Sequence, residues 1–185
     1  MSLTSQPIDE LLQLCKEGKQ QAQLEVYNRY YKAMYNTALR IVKDTAAAQD
    51  VMQESFLKAF TKLDSFKGDA SFGSWLKRIV INGSLNAYQK TERLAETPLE
   101  NHLFHISDEP QGIAEDDYES TQVSHVKQAM SLLKDNYRTC LTLHLIEGYD
   151  YEEMSEIMQV SYANCRTMVS RAKESLRSKL NTCSV

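Results

Sequence analysis

Apolar residues recur three and four positions apart through eight separate stretches of this chain, 8–17, 21–42, 45–64, 71–93, 125–134, 137–147, 151–158 and 162–180. That period lines them along one side of an α-helix, where a strand would need alternation by two. Residues that would break such helices are scarce, six glycines and three prolines among 185 residues. Leu, Ala, Met, Gln, Lys and Glu are abundant, and long helices are favoured over short strands joined by tight turns. The expected fold class is all-α.

The eight stretches fall into two blocks, and charge separates them. Residues 1–90 carry 12 Lys and Arg against 9 Asp and Glu, residues 91–125 carry 1 against 9, and residues 126–185 carry 8 against 7. The net charge of −4 is therefore concentrated in the middle. There TERLAETPLENHLFHISDEPQGIAEDDYEST holds Pro98, Pro110 and Gly112 and no sustained helical period. Such a segment reads as a flexible, solvated acidic linker, and a sharper reading has it mimic nucleic acid or shield basic faces. Two small helical domains, 1–95 and 125–185, joined by a linker at 96–124, are the expected organisation.

Several function classes have no support. No basic start is followed by an apolar run, and nothing approaches the roughly 18 consecutive apolar residues of a membrane span. A soluble, cytoplasmic protein with no membrane insertion of its own is expected. Cys15, Cys140, Cys165 and Cys183 are scattered with no CxxC pair, so reduced structural thiols are expected and no metal site. His102, His105, His125 and His144 have no nucleophile or paired carboxylate at a useful spacing, and no glycine-rich phosphate loop occurs. Neither a catalytic residue nor a cofactor is expected.

Three helices carry more than a core stripe. In the third, Met52, Phe56, Ala59, Phe60 and Leu63 form the side to be buried, while Asp50, Gln53, Glu54 and Leu57 form a second, polar stripe that is either plain surface or a docking face. The fourth is expected to bury Phe72, Leu76, Ile79, Val80, Gly83 and Ala87. Trp75, Arg78, Asn82, Asn86, Gln89 and Arg93 line up on another side, with Lys77, Ser84, Tyr88 and Lys90 nearby. An aromatic, amides and cations on one face are the groups that stack on bases and hold phosphates, although a single Trp in a helix is more commonly a core aromatic.

The closing stretch YEEMSEIMQVSYANCRTMVSRAKESL has helix-turn-helix spacing. Gly148 should stop the preceding helix, and Asp150 and Ser161 should cap the two that follow. On the last helix Cys165, Met168, Val169, Ala172, Leu176 and Leu180 make the apolar stripe. Five cations, Arg166, Arg171, Lys173, Arg177 and Lys179, stand against Glu174 alone between residues 166 and 179. Complementing the helix dipole accounts for one or two of these but not for five. With Asn164, Thr167 and Ser170 beside them, they make a face suited to a duplex major groove.

These residues resemble a family, the sigma-70 family of bacterial RNA polymerase initiation factors, in its small extracytoplasmic-function branch. RYYKAMYNTALRIVKDTAAAQDVMQESFLKAFTKLDSFKGDASFGSWLKRIVIN resembles its second conserved region, with the DxxQExF and FxxWLxRIxxN signatures in order. LKDNYRTCLTLHLIEGYDYEEMSEIMQVSYANCRTMVSRAKESLRSKL resembles its fourth. The resemblance implies that Asp50, Gln53, Glu54 and Leu57 dock on core RNA polymerase. It implies that the loop DSFKGDAS, with Lys67, and the helix after it, with Trp75, Lys77, Arg78, Asn82, Asn86, Tyr88 and Lys90, recognise and melt the minus-ten promoter element. It implies that Asn164, Arg166, Thr167, Ser170, Arg171, Lys173 and Arg177 bind the minus-thirty-five element as a duplex, and that an anti-sigma factor is a further partner. The chain departs from the family where many relatives have proline at Lys134, glycine at Gln159 and a polar or basic residue at Met168. Gln159 is accordingly expected in a turn that avoids strong left-handed strain. An alternative is a sigma-like decoy that sequesters an anti-sigma factor without binding promoters. It would need neither the cationic last helix nor the polar stripe of the third.

Overall fold

The computed structural model describes residues 3–95 and 121–183. The linker expected at 96–124 lies outside these residues except for 121–124, which already form helix. Among the described residues every regular element is helical, in two compact units, Met1–Leu103 and Phe104–Val185. The all-α class and the two helical domains are as expected.

In the first unit a 3-10 turn, Leu3–Ser5, precedes α1 (Ile8–Lys16), α2 (Gln20–Val42), α3 (Thr45–Thr61) and α4 (Phe72–Ala95). The boundaries have local causes. Gly18 takes φ +77° between α1 and α2, and α2 stops where Lys43 turns left-handed at φ +61°. Asp44 then caps α3, its carboxylate accepting from the Ala47 N–H at 2.6 Å. Ser71 caps α4, its hydroxyl accepting from the Ser74 N–H at 3.2 Å. α2, α3 and α4 pack on one another and α1 lies on α2. Their core joins Val26, Met34, Ala38, Met52, Phe56, Leu76 and Val80. Gly83 sits where α4 crosses α3 so closely that an added Cβ would stand 3.3 Å from both Ser55 Oγ and Val51 Cγ1.

In the second unit α5 (Thr121–Ser131), α6 (Asp135–Leu141), α7 (Tyr151–Met158) and α8 (Tyr162–Cys183) surround Ala129, Leu141, Leu143, Met154, Cys165, Val169 and Ala172. Arg138 is only 4% exposed, and Asp135 one turn earlier pairs with its guanidinium. A charge taken that far from water requires such a partner, and periodicity gave no sign of it.

Three expectations are corrected. The third helix ends at Thr61 rather than 64, and Leu63 reaches the core from a separate 3-10 turn, Leu63–Ser65. The helix expected at 137–147 is α6 followed by a π turn, Thr142–Ile146. There the Glu147 N–H donates to the Thr142 carbonyl at 3.0 Å, a five-residue step that closes the helix before Gly148 turns left-handed at φ +80°. Gln159 does adopt left-handed backbone, φ +53° and ψ +43°.

Candidate docking and nucleic-acid surfaces

On α3 the two stripes separate cleanly. Ala48, Val51, Met52, Ser55, Phe56 and Ala59 are buried, whereas Asp50, Gln53, Glu54 and Leu57 are all exposed. Leu57, at 68% exposure, sets apolar surface within an acidic and amide face. The buried side takes in Ala48, Val51 and Ser55 beside the expected Met52, Phe56 and Ala59, with Phe60 half-buried, and α4 covers it at the Gly83 crossing.

The α4 surface is less open than its stripe of residues alone implies. Trp75 is half-buried, its ring 5.3 Å from Phe66 and 5.8 Å from Phe72, with Tyr30 edge-on to Phe72 at 5.4 Å. It therefore anchors the loop that carries Lys67 and presents only part of its ring to solvent. Ser84, expected near the open face, is fully buried and donates to the Val80 carbonyl at 2.9 Å. Asn82, Asn86, Gln89 and Lys90 are exposed, as is Lys67, while Lys77, Arg78 and Tyr88 are partly buried and engaged in contacts of their own. Ile81, absent from the expected stripe, is fully buried.

The helix-turn-helix is fixed at each joint. Asp150 and Glu153 form a reciprocal capping box: the Asp150 carboxylate accepts from the Glu153 N–H at 2.8 Å, and Glu153 accepts from the Asp150 N–H at 3.0 Å. At the far end of α7, Val160 N–H reaches the Ser155 carbonyl at 3.0 Å and Gln159 N–H the Glu156 carbonyl at 3.4 Å. That pair of bonds is a Schellman closure, which places Gln159 in the position glycine usually fills. Ser161 then caps α8 through the Asn164 N–H at 3.3 Å.

α8 turns Cys165, Val169 and Ala172 inward, with Met168, Leu176 and Leu180 half-buried beside them. Asn164, Arg166, Thr167, Ser170, Arg171 and Arg177 are exposed and Lys173 is partly buried. Thr167 donates its hydroxyl proton to the Ala163 carbonyl at 2.9 Å, which leaves its methyl and an oxygen lone pair for a ligand. Arg166, Thr167, Ser170 and Arg171 line one open concavity together with Tyr162 and Ala163. Sequence reasoning missed those last two, since neither is charged and only their place at the helix start marks them.

The thiols are poorly suited to chemistry. Burial pushes Cys15 up to about 11 and Cys140 up to about 12, and raises Cys165 as well. All three are buried and free. Among the described residues no group of three or more His, Cys, Asp or Glu side chains could hold a metal ion, and no helix is long and apolar enough to cross a membrane.

A helix-turn-helix whose second helix is cationic outside and apolar inside puts the second unit in the class of helical DNA-binding modules. Family models agree: sigma-70 region 2 matches residues 26–94 and sigma-70 region 4 matches residues 126–176. The chain is 30% identical over 185 residues to the RNA polymerase sigma-H factor of Pseudomonas aeruginosa, covering 94% of each chain. It is 27% identical over 182 residues to the ECF RNA polymerase sigma factor SigW of Bacillus subtilis, covering 94% of this chain and 96% of that one. Among solved structures, the sigma factor RpoE in complex with the anti-sigma factor NepR from Bartonella quintana shares the fold. Its TM-score is 0.61 at 22% identity, over 85% of this chain and 95% of that one. CnrH in complex with the cytosolic domain of CnrY does so at 0.56 and 21%, over 93% and 96%. The chain belongs to the sigma-70 family of RNA polymerase sigma factors, in its extracytoplasmic-function branch.

Proposed function

We propose that this protein is a promoter-recognition subunit that binds core RNA polymerase, directs it to a set of promoters and opens them. The observation that carries the reading is the division of α8, with Cys165, Val169 and Ala172 buried and Arg166, Arg171 and Arg177 in water. The first domain, 1–95, docks on the polymerase through Asp50, Gln53, Glu54 and Leu57 of α3. Along the loop and α4, Lys67, Lys77, Arg78, Asn82, Asn86, Tyr88 and Lys90 hold the minus-ten strand, with the accessible part of Trp75 as a stacking surface. Extruding a base costs a few kcal/mol of stacking, which aromatic contact and a fitted pocket return. The domain at 125–185 lays α8 in the major groove of the minus-thirty-five element, where Asn164, Arg166, Thr167, Ser170, Arg171, Lys173 and Arg177 meet bases and phosphates. The acidic segment 96–120 links the two.

The protein has no chemistry of its own, and the polymerase it recruits makes the bonds. It works in the cytoplasm. An anti-sigma factor is its expected inhibitor, as the solved RpoE complex of related fold contains one. Reconstitution with core polymerase on a promoter library, scored by transcript starts, tests the reading. Starts clustered behind a shared pair of upstream motifs are expected. A set of starts no different from that of core polymerase alone would refute it.

A further inference from the structure

The concavity on α8 is not cationic at its N-terminal end. Tyr162, 46% exposed, is the first residue of the helix and Ala163 follows it, also exposed. One turn on, Thr167 has spent its hydroxyl proton on the Ala163 carbonyl at 2.9 Å, so a methyl and a lone pair are what it offers a ligand. A ring, a methyl and a second methyl thus share one concavity with Arg166 and Arg171.

The ring is held in place from behind. Tyr151, the first residue of α7, meets Tyr162 edge-on, centroids 6.2 Å apart and planes at 88°. His144 of the π turn stacks on Tyr151 at 5.0 Å and 24°, and His144 Nδ1 lies 3.1 Å from the Tyr149 carbonyl. The stack joins the first residues of both helices of the helix-turn-helix to the turn before them. An exposed aromatic side chain packed at its edge loses little rotamer freedom on binding.

In the major groove the carbon group that distinguishes a base pair is the C5-methyl of thymine, and apolar side chains near the start of a recognition helix read it. We propose that Tyr162, Ala163 and the Thr167 methyl form a seat for a thymine C5-methyl, making Tyr162 a specificity-determining residue and Tyr151 and His144 its positioning residues. The inference rests on the reading of α8 as the duplex-binding helix.

Deoxyuridine, which lacks only that methyl, is the probe. Holoenzyme formed with the full chain is titrated against a recovered promoter duplex in which each upstream-element thymine is replaced in turn. One or two positions should bind about three- to tenfold more weakly. Tyr162→Ala should bind thymine and deoxyuridine there alike, and Tyr162→Phe should keep the discrimination. Tyr151→Leu should narrow the preference with the seat residues unchanged. The proposal is overturned when no replacement weakens binding, or when the loss is as large in Tyr162→Ala as in the unaltered protein. If Arg166→Ala with Lys173→Ala leaves duplex binding unchanged, the reading of α8 itself has failed. If that pair weakens binding while deoxyuridine has no effect, the methyl seat alone has failed.

Discussion

Gln159 holds the turn of the helix-turn-helix at φ +53°, where its Cβ crowds the following carbonyl, and the Schellman bonds around it keep it there. Replacing it by glycine relieves that crowding at the expense of a freer unfolded chain. Gln159→Gly should therefore stabilise the second domain by roughly 1 kcal/mol, raising its thermal midpoint by about 4–8 °C in circular dichroism of the full chain. The buried thiols make a prediction of opposite sign. Their thiolates are disfavoured in the folded state, with Cys15 near 11 and Cys140 near 12 against the usual 9.0. Above pH 9 the unfolded chain sheds these protons first, so this contribution is fully present below pH 9 and is lost as pH rises towards 11–12. Urea midpoints should fall over that interval. Iodoacetamide at pH 8 should label Cys15, Cys140 and Cys165 slowly until denaturant is added, and rapid labelling of any of these three in the native protein would contradict their burial.

At the scale of the helix, α4 combines structural and ligand-facing residues that the sequence shows as one stripe. Trp75 packs on Phe66 and Phe72, while Asn82 and Asn86 stand in solvent. Trp75→Ala should cost about 2–3 kcal/mol, less than a fully buried aromatic would, and should free the loop that bears Lys67. Asn82→Ala with Asn86→Ala should change stability by less than about 0.5 kcal/mol. Both variants should lower permanganate reactivity of thymines at the minus-ten element, but only the tryptophan variant should also lower the thermal midpoint. Equal destabilisation by both would mean that the amides pack inward.

For the whole molecule, polymerase attachment and upstream recognition are assigned to separate domains, so their losses should separate. Asp50→Ala with Glu54→Ala should weaken association with core polymerase while affinity for the upstream duplex stays unchanged. Arg166→Ala with Lys173→Ala should lower duplex affinity evenly across sequences and reduce the salt slope by up to about 2, one for each phosphate no longer neutralised. Fluorescence titrations with polymerase and with duplex at several salt concentrations measure both. Loss of polymerase binding in the second pair would contradict the division.

The sequence determined the helices, the caps at Asp150 and Ser161, the stop at Gly148 and the outward set of charges on α3 and α8. Each of these follows from spacing or from the backbone preference of a single residue, which are local. The burial of Arg138, the inward turn of Ser84, the half-burial of Trp75, the π turn and the ring stack behind Tyr162 were decided by tertiary structure. Each depends on which neighbouring element covers a side chain, and helical period says only that two residues share a face, not what lies across from it.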